Sequence, residues 1–486
     1  MRGIDPEDPK PFAVLHPTTI NENVVHAEYA VRGKLYNAAV ERAQSGKKVI
    51  YTNVGNPHAV GQKPITFFRQ VLALITYPEM MNNPAVLASF PPDVVERARL
   101  YISKIPGGTG AYQDSRGNEF IRHEIADFLT RRDGYPGSVN ELFMTDGASQ
   151  AIGLCLLLTI RGRFDGILTP IPQYPLYSAT IEIRNGTSCG YYLDEANNWG
   201  LSIAELSRSV AESRAKGIQP RAIVIINPGN PTGQCLTEEN MQEIVRYCKQ
   251  ERLVIFADEV YQTNVYLPSQ KFVSFRKVIL DMGREAEDVE LLSFHTVSKG
   301  AVGECGRRGA YVECLNIHPA VKDELYKVMS TNLSSNVDGQ IMMGLMVNPP
   351  RVGDPSYPLY KEETEGILGS LARRAEMISS AFNKLEGVTS NPVEGALYCY
   401  PQIRIPPKAV AAAAEKGYAA DVLYCLELLD ETGICTVPGS GFGQADGTYH
   451  LRTTILPPEE DFEGIIKSFS DFHRKFLRKY EGRAFL

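Results

Sequence analysis

Five short segments carry side chains that could do chemistry, and each is predicted to stand at the end of a strand. Residues 145–150 (TDGASQ) place Ala148 and Ser149 where a helix should begin. Small residues let the backbone approach an anion there, and helix-start N–H groups with a serine hydroxyl can hold a phosphate. Residues 171–177 (IPQYPLY) fix Tyr174 between two prolines, where a ring can stack on a flat ligand. Residues 227–234 (NPGNPTGQ) contain two Asn-Pro steps, which keep Asn227 and Asn230 out of a helix. Residues 257–261 (ADEVY) put Asp258 and Tyr261 three apart, just after the apolar run LVIF. An acid at the end of a buried strand is costly without a cationic partner. Residues 293–307 (SFHTVSKGAVGECGR) set Lys299 behind Thr296 and Ser298 among small neighbours. Desolvation would lower the pKa of such a lysine and make it a nucleophilic amine. Arg307 lies eight positions on, with a fork that suits phosphate.

Each segment also has a plainer reading. TDGASQ can be an ordinary strand-to-helix turn, IPQYPLY a surface loop, NPGNPTGQ a tight turn and Asp258 a helix cap. Lys299 can be an exposed loop lysine, and Arg307 with Arg308 a solvated basic pair. Taken together, however, the five supply a phosphate anchor, a ring stacker, a buried acid, a phenol and an activatable lysine. That is the inventory of a pyridoxal phosphate site.

The elements that must position them follow from hydrophobic periodicity. Strands are predicted at 141–145, 166–170, 221–226, 253–257, 291–295 and 309–313, alternating with helical patterns. At 237–252, Thr237 can cap a helix and Glu238 and Glu239 fill its first turn. Met241, Ile244, Val245 and Cys248 then follow the spacing of one buried face. Such alternation implies an α/β fold with a mainly parallel sheet covered on both faces. Ligands of such sheets gather outside the carboxyl ends of the strands. Ile367, Leu371, Ile378, Phe382 and Leu385 form one later helical stripe, and Phe462, Ile465, Ile466, Phe469 and Phe472 another. A strand-like 396–401 and a Gly/Pro-rich VPGSGFGQADG lie between them, giving a smaller α+β domain. The alanine run 411–414 reads as helix. The expected division is an arm and helix at 1–50, anchored by Val25, Tyr29, Val31 and Leu35. A first part of the small domain with linker follows at 51–100, a large domain at 101–355 and the rest of the small domain at 356–486.

The 486 residues are 43% apolar and 22% charged, ordinary globular values. A net charge of −7 argues against a nucleic-acid binder that works by neutralising phosphates. Nine cysteines without a CxxC fit free thiols in a reducing compartment. Eight dispersed histidines give no metal-ligand spacing, so no metal is expected. The longest apolar run, 152–160 (IGLCLLLTI), is too short for a membrane span, so no membrane association is expected. The start, MRGIDPEDPKPF, lacks a signal-like apolar stretch and the end is not SKL. The expected location is cytoplasmic, with a mitochondrial form whose presequence has been removed as the alternative.

In this order, TDGAS, PxYPxY, NPGNPTGQ, DEVYQ, TVSKG, GECGRRG and HLRTTILP resemble the class I aminotransferases, PLP-dependent enzymes of fold type I. The resemblance spans about 24 to 475. GGTGAYQDSRG (107–117), IPQYPLYSA and GECGRRG point to the alanine group within that family. It implies that Lys299 forms the Schiff base with pyridoxal 5′-phosphate and shuttles the proton. Asp258 would pair with the pyridine nitrogen, Asn230 and Tyr261 with the 3-oxygen, and Tyr174 would cover the ring. Ala148, Ser149, Thr296, Ser298 and Arg307 would hold the phosphate, joined by Tyr112 from the other subunit of a homodimer. Arg452, with Gly55 and Asn230, would take the substrate carboxylate. The implied reaction is ping-pong transamination from L-alanine to 2-oxoglutarate, giving pyruvate and L-glutamate. Glutamate–glyoxylate exchange, another class I activity such as kynurenine transamination, or a non-catalytic PLP-binding regulator are the alternatives. A dinucleotide reading of GGTGAY fails for want of a third glycine and a preceding strand.

Overall fold

The computed structural model describes residues 14–16, 18–29, 33–268 and 271–481. Val31, one of the expected anchors of the arm, lies outside the described residues. The described residues open with two helices, Glu22–His26 and Lys34–Gln44, and a two-residue strand β1 (Ile50–Tyr51).

Seven strands then build the central sheet. They are β2 (Leu142–Asp146), β3 (Asp165–Ile171), β4 (Thr187–Tyr192), β5 (Gln219–Ile226), β6 (Val254–Asp258), β7 (Leu291–Thr296) and β8 (Gly309–Leu315). Their order is β2-β8-β7-β6-β5-β3-β4. Five neighbours, from β4 to β7, run parallel, while β8 is antiparallel to both β7 and β2. The interior strands are buried along nearly their whole length, because helices cover both faces. This is why they appear in the sequence as continuous apolar runs rather than alternating ones. β4 escaped that reading. It is the sheet's edge, half exposed, and Gly190 breaks its apolar pattern.

The helix Glu238–Glu251 has its expected cap, with Thr237 accepting from the Asn240 N–H at 3.2 Å. Met241, Ile244, Val245 and Cys248 are buried on its inner face.

The last third carries short strands β9 (Val388–Thr389), β10 (Tyr398–Cys399), β11 (Gln402–Ile403), β12 (Ile434–Cys435), β13 (Val437–Pro438) and β14 (Leu451–Thr454). Long helices Tyr357–Phe382 and Glu459–Glu481 pack beside them through Leu371, Ile378, Phe382, Phe462, Phe469 and Phe472. The alanine run is helical, within Pro407–Glu415. Leu35 and Ala39 of the early helix join this same core, and β1 pairs in parallel with β12.

The expected division is corrected in one stretch. Helices Thr66–Thr76 and Pro92–Lys104 fall largely within the 51–100 segment expected to be the first part of the small domain and its linker. Phe67, Phe68, Val71, Leu72, Val94 and Ala98 instead share a core with Ile121, Met144, Val297, Tyr311 and Ile341, beside the central sheet. A stripe this apolar must be buried where a matching face exists, and helices Glu119–Asp133 and Val337–Val347 provide one.

Candidate active site

The carboxyl ends of β2, β3, β5, β6 and β7 point to one edge of the sheet, where a cavity of about 530 Å³ opens. Because β8 runs the other way, its first residues reach the same edge. Gly309 pairs with Asp146 and Ala310 with Thr296. Ala148, Ser149, Tyr174, Asn230, Asp258, Tyr261, Thr296, Ser298, Lys299, Arg452 and Gly55 all line the cavity.

Asp258 ends β6 and is buried. Burial pushes its carboxyl up to about 6, against the Tyr177 hydroxyl, which donates to Oδ2 at 2.8 Å. Among the described residues no guanidinium or ammonium forms an ion pair with it. The next residue, Glu259, faces the other side of the sheet, where the Phe275 N–H and the Ser293 hydroxyl hold it at 2.8 and 3.0 Å. Strand alternation therefore gives Asp258, not Glu259, to the cavity.

Lys299 follows β7, and its Nζ donates to the Gly55 carbonyl at 2.8 Å. It stands 5.6 Å from the centre of the Tyr261 ring. Gly55 has to be glycine, because a Cβ there would collide with the Tyr398 hydroxyl and come within 3.1 Å of Nζ. Tyr261 and Tyr398 share a hydrogen bond at 3.0 Å, and Asn230 Nδ2 lies 3.5 Å from the Tyr261 oxygen.

An anion cradle lies at one end. The helix Ala148–Thr159 begins after Gly147 with no side-chain cap, so its first N–H groups are free for a ligand. Gly147 has φ +85°, and a Cβ there would run into the Arg308 guanidinium. Arg308 Nη2 donates to Ser149 Oγ at 3.1 Å and to the Asp146 carbonyl at 3.2 Å. The Thr296 hydroxyl donates to the Gly309 carbonyl at 2.8 Å and lies 3.0 Å from that of Ser298.

Arg307 is a correction. It was expected at the phosphate, but its guanidinium turns away to Asp338 at 3.4 Å and Glu304 at 3.9 Å. Arg308 takes a left-handed backbone conformation, φ 56°, just before β8. That turn sends side chain 308, not 307, into the cavity.

At the other end Arg452, on β14, is 1% exposed. Its Nη1 donates to Asn230 Oδ1 at 3.1 Å and Nη2 to the Asn53 carbonyl, while Nε has no partner among the described residues. Tyr112 is 76% exposed and lies outside the cavity of its own chain. Residues not anticipated are Tyr177, Tyr398, Arg308 and Tyr29, whose hydroxyl meets that of Tyr174 at 2.6 Å. Tyr177 was within reach of sequence reasoning, as the second tyrosine of IPQYPLY.

Fold and cavity together define a pyridoxal phosphate enzyme of fold type I, an aminotransferase. The chain belongs to the aminotransferase class I and II family, which matches residues 81–469. It is 54% identical over 464 residues to glutamate–glyoxylate aminotransferase 1 of Arabidopsis thaliana, covering 95% of this chain and 96% of that protein. It is 49% identical over 472 residues to the mitochondrial alanine aminotransferase 1 of the same plant, covering 95% and 87%. The solved alanine aminotransferase of Pyrococcus furiosus superposes with a TM-score of 0.75 at 22% identity, covering 94% and 99%, a likeness of fold. No helix among the described residues is long and apolar enough to cross a membrane.

The residues present fit the family's cofactor. A buried carboxyl without a cation suits a protonated ring nitrogen. The uncapped helix start beside Arg308 suits a phosphate, and the lysine amine stands between the two ends of the cavity.

Proposed function

We propose that this chain transfers the amino group of L-alanine to 2-oxoglutarate, giving pyruvate and L-glutamate. The observation that carries the reading is the meeting of Lys299, Asp258 and Arg452 in one cavity. Bound pyridoxal 5′-phosphate supplies a carbonyl that condenses with amines and a ring that accepts the electrons of the Cα–H bond. The chain supplies the rest. Asp258, held by Tyr177, would pair with the ring nitrogen. Asn230 and Tyr261 would hold the 3-oxygen and Tyr174 would cover the ring. Ala148, Ser149, Thr296, Ser298 and Arg308 would take the phosphate.

Arg452 clamps the donor's α-carboxylate, for which Gly55 leaves room. Lys299 takes the proton from the donor's Cα and, on the second visit, delivers one to the Cα of the acceptor. Donor and acceptor use one cavity in turn, so the kinetics are ping-pong. Among the other lining residues Tyr36, Tyr51, Val54, Ala59 and Val60 are all neutral. The cations among the lining residues are Lys299, Arg308 and Arg452, each with a task. A methyl side chain suits such a wall.

A second reading, glutamate–glyoxylate exchange, is favoured by the 54% identical relative. Glyoxylate is as small as the same wall allows. A panel of alanine, glutamate, aspartate and aromatic donors, each with 2-oxoglutarate and with glyoxylate, decides. Alanine with 2-oxoglutarate should give the highest kcat/KM. Faster glutamate with glyoxylate would favour the second reading, and faster aromatic donors would overturn both.

The working form in this proposal is a homodimer, with the exposed Tyr112 of one copy completing the phosphate site of the other. Nine free cysteines support a reducing, cytoplasmic location.

A further inference from the structure

Arg452 is held by more than its hydrogen bonds. Its guanidinium lies 4.3 Å from the centre of the Tyr398 ring and 4.7 Å from that of Phe442. Ring faces on a guanidinium fix its plane as well as stabilising its charge. Phe442 is braced edge-on by Tyr400, with centroids 6.0 Å apart at 86°. Tyr400 lies flat on His450, at 4.7 Å and 2°. Trp199, the chain's single tryptophan, closes against both rings at 5.8 Å.

His450 is 2% exposed and tethered at both nitrogens. Nδ1 lies 3.0 Å from Gln444 Oε1, and Nε2 lies 3.2 and 3.1 Å from the two oxygens of Glu195. The amide of Gln444 is oriented by its Nε2, which donates to Asp421 at 3.2 Å. Glu195 and Trp199 follow β4 of the central sheet, whereas Tyr400, Phe442, His450 and Arg452 belong to the C-terminal part. The Phe442 carbonyl also accepts from the Gln173 N–H at 2.8 Å, next to Tyr174. A continuous line of buried rings thus runs from a carboxylate on one part of the molecule to the guanidinium on the other.

We propose that Glu195 is a positioning residue for the carboxylate clamp. Through His450, Tyr400 and Phe442 it sets the plane of the Arg452 guanidinium. This rests on the reading that Arg452 binds the donor's carboxylate. Close-packed rings cannot tilt singly without opening a void or a clash, so an anchor at the far end restrains the whole line. A two-point carboxylate contact is sensitive to such tilt, because both N–H groups must aim at once.

The test is steady-state kinetics of the loaded enzyme with L-alanine and 2-oxoglutarate. Glu195→Ala should raise the KM for L-alanine about fivefold to tenfold with kcat held within about twofold, the signature of lost binding shared by ground and transition states. Glu195→Gln keeps an acceptor for His450 and should bring KM back to within about twofold. Phe442→Leu, which keeps apolar volume and loses the ring face, should show the same split as Glu195→Ala. In an Arg452→Lys background Glu195→Ala should add less than about twofold, since residues acting in series are not additive. Reaction with ethylamine, which lacks a carboxylate, should be unaffected. An unchanged KM in Glu195→Ala, an equal loss with ethylamine, or a full further loss on top of Arg452→Lys overturns the proposal. An unchanged KM in Arg452→Lys alone instead overturns the reading on which it rests.

Discussion

At the scale of single residues, Asp258 shows how burial prepares a group for a ligand. Its carboxyl sits at about 6 in the folded chain against 3.8 when exposed, through burial. The folded value is the higher, so the group favours folding below pH 4 and that contribution is lost as pH rises through about 6. The loss amounts to roughly 3 kcal/mol by pH 8. Cofactor-free Asp258→Asn protein should therefore melt higher than cofactor-free wild type at pH 8. The gap should close towards pH 4, even though the variant loses turnover. Melting curves across pH would show it, and equal curves at pH 8 would refute it. Lys299→Ala should cut kcat by at least about 10²–10⁴ while still retaining cofactor on gel filtration. Wild-type turnover would end the assignment of Lys299. The two neighbouring arginines give a sharper contrast. Arg308→Leu should weaken cofactor binding about tenfold to hundredfold, the worth of a charge-assisted hydrogen bond, whereas Arg307→Leu should change it by less than about twofold. Equilibrium dialysis distinguishes them. This pair also marks a limit of sequence reading. Lys299, Asp258 and Asn230 were legible because their chemistry is written in their immediate neighbours. The choice between 307 and 308 depends on one backbone angle, which adjacent letters do not encode.

At the scale of elements, legibility followed burial. The six strands other than β4 read as apolar runs because both faces are covered. The edge strand β4 and the two-residue strands of the C-terminal part did not, apart from β10, which lies in the strand-like 396–401. β12 in particular owes its existence to a partner hundreds of positions away, as when Tyr51 meets Cys435. Helix starts were legible where a side chain caps them, as at Thr237. Thr237→Ala should cost about 1 kcal/mol in a denaturant titration and leave kcat alone. The uncapped start at Ala148 carries the opposite message. A helix end left without a side-chain partner at the rim of a cavity is held open for an anion.

At the scale of the whole molecule, the cavity draws on nearly the full length of the chain, from Tyr29 to Arg452. The proposed dimer extends it further. Tyr112→Ala should lower cofactor affinity although the residue is exposed and does not line its own cavity. Dialysis on the sedimenting dimer would measure the drop, and unchanged affinity would remove the shared-site part of the proposal. The pairing of β1 with β12 has a consequence for biogenesis. Residues 50–60 leave the ribosome long before Ile434 and Arg452 exist. At 5–20 residues per second, they wait on the order of 20–80 s for the partners that complete the binding site. Through that interval the core that Leu35 and Ala39 join lacks Ile434, Leu451, Phe462 and Phe469, while the strands from 142 to 315 have already been made. The binding site is therefore the last part of the molecule to be completed, and any truncation that stops short of β14 yields a scaffold that lacks Arg452.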